Sequence, residues 1–307
     1  MCALPSLRQL QCFVTVAEEL HFRRAAQRLH MTQPPLTQRI QAMERDLGVE
    51  LFKRTGHRVE LTEAGRLLVK EARATLTQAE RLRELAHRAE RGEAGRIRLG
   101  ITISVPFMPS FTRAIRSFQD DYPGVAVDLA LVNSGQALEG LRQRKLDIGL
   151  IRSFSAPLPP DWQQTIVERD RLMLVLPSGH PLAKSERVPL SAVADENFLL
   201  FPREHGTALY GQIMDVWTRA GIIPRVAQEA EKGPAILALV AAGLGNAILP
   251  SALSAMKIDS VVWKQIDIED RWTVSSIVMV HRKEAQDEKV QSHFIDYVHR
   301  CSRNGTG

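Results

Sequence analysis

Two adjacent prolines fix the reading of the N-terminal part of this chain. In HFRRAAQRLHMTQPPLTQRIQAMERDLGVELFKRTGHRVEL, from His21 to Leu61, Pro34 and Pro35 open the second of two apolar-periodic segments. Only the first turn of a helix holds such a pair, because its N–H groups have no intrahelical acceptor. Thr32 stands where an N-cap is wanted, so the helix starts near Gln33. Its apolar side is Leu36, Ile40, Met43 and Leu47, and Phe22, Ala25, Ala26 and Leu29 give the preceding segment the same 3.6-residue period. His30, Met31 and Thr32 break the pattern between them, as in a helix-turn-helix. Upstream, Leu7, Leu10, Phe13, Val14 and Ala17 form a third stripe, and three such helices share one small core. Beyond Gly48, the segments 51–54 and 58–61 flank Thr55, Gly56 and His57 as a two-stranded hairpin with a basic tip, a wing.

In a helix-turn-helix the first turns of the second helix enter the major groove of DNA. Gln33, Thr37, Gln38 and Gln41, beside Pro34 and Pro35, are therefore the candidates for base contact. Glutamine pairs bidentately with adenine, and threonine meets a base edge or a thymine methyl. Arg39, Arg54 and Arg58 suit phosphate contact, which fixes register and carries the salt-dependent affinity. A three-helix unit can instead pack only against protein; the wing and the polar recognition face argue for double-stranded DNA.

Charge alone would not establish that partner. The chain carries a net charge of +5, and residues 1–62 hold nine Lys/Arg against six Asp/Glu. Cys2, Cys12 and Cys301 have no metal-ligand spacing and form no even framework, so neither a metal nor a disulfide is expected and the default compartment is reducing. No apolar run approaches the roughly 20 residues that span a membrane. The expectation is a soluble, cytoplasmic protein.

From Thr62 to Arg91 the chain has no proline, many alanines and charges all round, as one long helix requires. Leu68, Ala72, Thr75, Ala79, Leu82, Ala86 and Ala89 alternate four and three apart, a heptad seam of mostly small residues that predicts a dimer. A solvated spacer helix is the other reading. At 1.5 Å per residue it reaches on the order of 40 Å, and a dimer suits paired half-sites on DNA. Gly92 and Gly95 end this helix, and strand and helix patterns then alternate. Strands are expected at 96–103, 125–132, 147–151, 172–176, 197–201, 225–227, 247–249, 261–266 and 274–280, with helices at 106–118, 136–144, 208–220, 234–242 and 288–298. Short apolar strands between helices imply a parallel sheet, and the proline-rich SAPLPPDW separates two lobes with a cleft at the C-terminal strand ends.

Taken together, FRRAAQRLHMTQPPLTQRIQAMERDLGVELFKRTGHRVELTEAG, the long helix, and then IRLGITIS, KLDIGLIR, LPSGHPLA and VAAGLGNAILP resemble the LysR-type transcriptional regulators over essentially the full length. The resemblance implies an α/β protein with an all-α winged helix-turn-helix head, a long linker helix and a two-lobed effector domain shaped like a periplasmic binding protein. The corresponding boundaries are 1–62 for the DNA-binding domain, 63–91 for the linker and dimerisation helix, and 92–307 for the effector domain. Lobe I then covers about 96–160 and 268–300, and lobe II about 161–267. A homodimer or homotetramer on promoter DNA is implied, with RNA polymerase left open as a further partner. TQPPL and GLIR resemble the subgroup that senses aromatic-catabolism intermediates such as muconate and benzoate. Where those regulators often carry Ser-Arg after Pro-Pro-Leu, this chain has Thr37 and Gln38, with Arg39 next.

In the cleft, Thr102, Ser104, Ser134 and Arg152 follow or close expected strands. Ser104 and Ser134 also precede helices, where a hydroxyl and N-terminal N–H groups bind an anion together. A small organic acid is the expected effector, with Arg152 as a bidentate clamp. Equally, the serines can be helix caps and Arg152 can pair with an acid at the hinge. From the second lobe Phe201, Thr207 and Leu209 would add apolar and hydroxyl contacts, and by analogy Asn246 faces the same cleft. No Ser-His-Asp order, paired catalytic carboxylates, glycine-rich phosphate loop or His/Cys cluster is present, so catalysis and a cofactor are not expected. The competing function is an effector-independent repressor whose α/β domain serves only oligomerisation.

Overall fold

A computed structural model of the chain describes residues 4–55, 58–153, 157–203, 207–286 and 288–303, apart from the side chains of Arg54, Thr55, Arg58, Thr207 and Arg303. Its contacts divide it into two compact units, Met1–Arg88 and Ala89–Gly307. The first holds α1 (Leu7–Glu19), α2 (Phe22–Arg28), α3 (Gln33–Leu47), β1 (Phe52–Thr55), β2 (Arg58–Leu61) and most of α4 (Glu63–Glu90). Leu10, Phe13, Val16, Ala25, Ala26, Leu36, Ile40, Met43 and Leu51 are its buried core. His30, at φ 53°, supplies the left-handed turn between α2 and α3. Thr32 is the N-cap of α3 but its side chain makes no capping bond. The cause is chemical: the N–H groups a cap would accept from belong to positions held here by Pro34 and Pro35, which have none.

The wing is fastened to this core rather than appended to it. Glu44 of α3 accepts the Leu51 and Phe52 N–H groups at 2.8 and 3.2 Å, and the Phe52 ring meets Phe13 and Phe22 edge-on at 5.6 and 5.9 Å. Thr62 caps α4 by accepting the Gly65 N–H at 2.9 Å. The 28 residues of α4 give a length of about 42 Å. In its first turns two of the heptad positions, Leu68 and Ala72, pack with Ala64, Val69 and Leu76 on the head's own core. Farther along, the side chains are solvent-facing, Leu82 being 67% exposed. By its contacts α4 thus goes with the head rather than standing apart as a linker.

The second unit contains, in order, β3 (Ala94–Ile101), α5 (Pro109–Asp121), β4 (Gly124–Leu131), α6 (Ser134–Arg142), β5 (Ile148–Arg152) and β6 (Trp162–Pro177). Then come β7 (Arg187–Val188), β8 (Asn197–Leu200), α7 (Thr207–Arg219), β9 (Arg225–Glu229), α8 (Gly233–Ala241) and β10 (Ala247–Pro250). β11 (Val261–Ile266), α9 (Asp270–Thr273), β12 (Val274–Arg282) and α10 (Lys289–Arg303) complete it. The main sheet runs β4-β3-β5-β12-β6-β11-β7, with β10 also on β6, while β8 and β9 pair separately. The expected parallel sheet is corrected to a mixed one. β3 is parallel to β4 and β5, but β12 is antiparallel to β5 and β6, and β10 and β11 are antiparallel to β6.

β6 also corrects the lobe boundary. Residues 162–171 pair with β12 in lobe I, and residues 172–177 pair with β10 and β11 in lobe II. One continuous strand therefore belongs to both lobes, and lobe II begins near Leu172, not near 161. The first half escapes a hydrophobic pattern because WQQTIVERDR carries mostly polar residues, with Trp162, Val167 and Asp170 its buried members. The return path through α9 leads into β12, and α10 packs in lobe I with Phe294, Ile295 and Val298 against Phe111 and Phe118. Lobe II has its own core around Leu174, Phe198, Trp217, Ile236, Leu249 and Leu253.

Candidate functional site

On the head, Gln33, Pro34, Gln38 and Gln41 are exposed along α3, and Pro35, Thr37 and Arg39 are half-buried. The buried side of the same helix, Leu36, Ile40 and Met43, is clamped by α1 and α2, so the polar stripe is held on a rigid rod. The Arg39 guanidinium lies toward α1, with one nitrogen 4.0 Å from the Cys12 sulfur. Arg54 and Arg58 fall on the two wing strands, in register with Val59 and Thr55. Their side chains, with Gly56 and His57, lie outside the described residues.

In the second unit a cavity of about 120 Å³ opens between the lobes. Lobe I contributes Thr102, Ile103 and Ser104 after β3, Leu131 and Val132 at the end of β4, Ser134 at the start of α6, and Arg152 ending β5. Lobe II contributes Phe201 after β8, Ala208 and Leu209 at the start of α7, and Glu231 and Lys232 before α8. The lobe I strands β3, β4 and β5 and the lobe II strand β8 thus present their C-terminal ends to it, the place where this kind of topology puts ligands. Thr102, Ser104 and Ser134 are 8%, 1% and 5% exposed.

Their hydroxyls differ in what occupies them. Asn133, not Ser134, caps α6: its side chain accepts the Gln136 N–H at 2.8 Å while the Gln136 side chain accepts the Asn133 N–H at 3.0 Å. Ser134 is free of capping duty and donates to the Arg152 carbonyl at 3.2 Å. Ser104 begins a short 3-10 turn without a side-chain cap and stands 3.5 Å from an Arg152 nitrogen. The Thr102 hydroxyl is buried and has no hydrogen-bond partner among the described residues. A buried hydroxyl left unpaired is unfavourable by about 1–3 kcal/mol, and Thr102 is one of the residues lining the cavity.

Arg152 requires a correction. Its side chain is 3% exposed and its guanidinium is paired with Asp170 at 2.7 Å, with further contacts to Ser275 and to Gln212 at 3.4 Å. Burial pulls its pKa down from the ordinary arginine value, against the pull of Asp170 in the other direction. With both terminal nitrogens of its fork engaged, Arg152 lines the cavity as half of a buried ion pair rather than as a bidentate clamp. Asp170 in turn accepts the Ser251 hydroxyl at 2.9 Å and the Ala252 N–H at 3.3 Å, so this pair joins β5 and β6 to the segment that follows β10 in lobe II.

Asn246 is corrected as well. It lies at the start of β10, bridged to Phe198 at the start of β8, and its amide donates to Glu196, which His180 also contacts at 3.0 Å. That is the N-terminal end of these strands, opposite the cavity, and the side chain lines a separate depression. Phe201 and Leu209 do line the cavity; Thr207 starts α7, its side chain lying outside the described residues. Sequence reasoning missed Ile103, Leu131, Val132, Asn133, Gln136, Ala208, Glu231 and Lys232. Lys232-Gly233-Pro234, an N-cap followed by a proline-led helix, carried the signal for the last of these. Among the described residues no group of three or more His, Cys, Asp or Glu is placed to hold a metal, and no helix is long and apolar enough to cross a membrane.

Comparison with known proteins matches both units. Residues 7–66 match the family of bacterial regulatory helix-turn-helix proteins of lysR type, and residues 90–302 match the LysR substrate binding domain. An uncharacterized HTH-type transcriptional regulator of Escherichia coli, YnfL, is 36% identical over 94% of this chain and 96% of its own length. The HTH-type transcriptional regulator AlsR of Bacillus subtilis is 33% identical over 98% and 97%. Among solved structures, full-length CbnR complexed with its target DNA superposes with a TM-score of 0.76 at 29% identity, covering 97% of this chain and 99% of that one.

Proposed function

The chain belongs to the LysR family of DNA-binding transcriptional regulators, and we propose that its signal is a small carboxylate held between the lobes by Thr102, Ser134 and the first turn of α6. The observation that carries this reading is the Thr102 hydroxyl, buried in the cavity wall with no partner among the described residues. An acid oxygen would accept from it. The N–H of Ser134, at the first position of α6, lacks an intrahelical acceptor and sits at the positive end of the helix dipole. The remaining walls, Ile103, Leu131, Val132, Phe201 and Leu209, are apolar and suit a hydrocarbon body. That combination supports the finer resemblance to regulators of aromatic catabolism. The account includes a dimer or tetramer, with the exposed part of α4 as one contact between copies.

An effector acts only through a difference in affinity between two arrangements of the protein. The two crossings between lobes, β6 and the segment 267–273, are where lobe II can pivot on lobe I, and residues of both lobes form the cavity walls. The reading is tested by thermal unfolding in the presence of short aliphatic and aromatic carboxylates, each beside its neutral amide. At least one acid is expected to raise the midpoint with concentration while its amide does not, since a ligand of the native state stabilises by mass action. Equal shifts with acid and amide, or none with any acid, would remove the carboxylate from the account.

A further inference from the structure

Several arginines of the head are paired with acids. Arg28 lies 2.8 Å from Glu18 and 3.2 Å from Glu19, Arg24 is 3.4 Å from Glu19, Arg73 is 3.0 Å from Glu18 and Arg66 is 2.6 Å from Glu63. Others are not, and three of these lie together. Arg8, Arg39 and Arg45 line one groove between the first turns of α1 and the side of α3, together with Gln9 and Gln38, and no acid is among its walls. None of the three has a carboxylate within 4 Å among the described residues, unlike the four just named.

The groove adjoins the base-reading surface. Pro34, Gln38, Gln41 and Arg45 are spaced four, three and four apart, so they form one stripe of α3, and all four are exposed. Gln38 and Gln41 line the groove as well as standing on that stripe. A strand whose base edges meet Gln33, Thr37 and Gln38 must carry its phosphates past the border of the same surface. The half-buried Arg39 lines the groove with its guanidinium held toward α1, one nitrogen 4.0 Å from the Cys12 sulfur.

We infer that this groove is a phosphate clamp, in which Arg8, Arg39 and Arg45 hold backbone phosphates of the strand flanking the major groove entered by α3. The inference rests on the DNA-binding reading and adds a contact on α1, an element outside the helix-turn-helix pair. Duplex DNA is preferred over an acidic protein segment because the charged walls are continuous with the base-reading stripe. Such contacts are indifferent to sequence, which makes them testable without the natural operator.

The experiment measures binding of the full chain to a mixed-sequence duplex over a range of salt concentrations, for the wild type, Arg8→Gln, Arg45→Gln and Arg8→Lys. Each glutamine variant is expected to lower the slope of log K against log salt by about 0.9, one counterion per lost contact, and Arg8→Lys to keep it. Arg8 and Arg45 are exposed, so the thermal midpoints of all four proteins should agree. Wild-type slopes in both glutamine variants would overturn the clamp and leave DNA binding standing. Failure of the wild type to bind in a salt-dependent way would overturn both.

Discussion

Replacing Asp170 by alanine is expected to destabilise the second unit by about 3–5 kcal/mol, the range for removing one partner of a buried ion pair. Arg152 and Asp170 have side chains only 3% and 1% exposed, so the guanidinium left behind would be a buried charge without its counter-ion. The Ser251 hydroxyl and Ala252 N–H would lose their acceptor at the same time. For a unit of this size each kcal/mol moves the unfolding midpoint by about 2–4 °C, so the drop should be on the order of 10 °C. The double variant Arg152→Met/Asp170→Leu should recover most of it, because the cost lies in the unpaired charge rather than in the missing attraction. A loss below about 1 kcal/mol in Asp170→Ala would mean that the pair is hydrated in solution and does not tie β5 and β6 to lobe II.

The second large effect is expected in the other unit, at Gly65. In an exposed helix, glycine to alanine stabilises by about 0.5–1 kcal/mol. At Gly65 the sign should invert, since a Cβ would stand 2.2 Å from the Leu51 carbonyl oxygen and 2.9 Å from the Leu61 side chain. The obstructing atom is backbone, fixed by the Thr62 N–H that donates to it at 2.9 Å, so α4 must lift away from the wing. Gly65→Ala should cost about 1–3 kcal/mol and Gly65→Val more, as overpacked sites do. Amide exchange should quicken in α1, α2 and α3 and stay unchanged in β3, β5 and β12, because the two sets lie in separate contact units. Stabilisation by alanine would show that α4 is not seated on the wing.

These two sites differ in how far the sequence discloses them. The three head helices and α4 are legible because each shows an apolar period of 3.6 and a glycine or a left-handed residue at its end, and the wing because turn residues separate two short strand-like runs. Thr102 and Ser134 are legible for a related reason: a polar residue straight after an apolar strand has few places to go but the strand's C-terminal end. Arg152 was legible as a charge closing an apolar strand, either a clamp or one half of a hinge ion pair, but the acid that pairs with it was not. Its partner Asp170 sits in the polar run of β6, and only the pairing of β6 with β12, and of β12 with β5, brings the two together. Asn246 shows the converse. GLGN marks a turn beside lobe II, yet the direction of β10 puts that turn at the end away from the cavity. Strand direction within a mixed sheet is a tertiary property, and no local pattern encodes it.

The clamp on α1 has the same character. Arg8 precedes the helix-turn-helix by more than a dozen residues and carries no motif of its own; the packing of α1 across α3 places it beside Arg45. What identifies it is that Arg8, Arg39 and Arg45 share one groove with no acid in its walls, while Arg24, Arg28, Arg66 and Arg73 are paired with Glu18, Glu19 and Glu63.

Thr102→Val tests the central claim most directly. The substitution keeps the shape and removes the hydroxyl that has no partner among the described residues, so the unliganded chain should be no less stable, and up to about 1 kcal/mol more stable, than the wild type. The same variant should lose most of the midpoint shift produced by whichever carboxylate stabilises the wild type, with DNA binding in its absence unchanged. Opposite signs for stability and ligand response are the signature of a residue kept for a ligand. A variant that is destabilised while its response to the acid is intact would contradict the account, because Thr102 would then serve the fold and the acid would bind elsewhere.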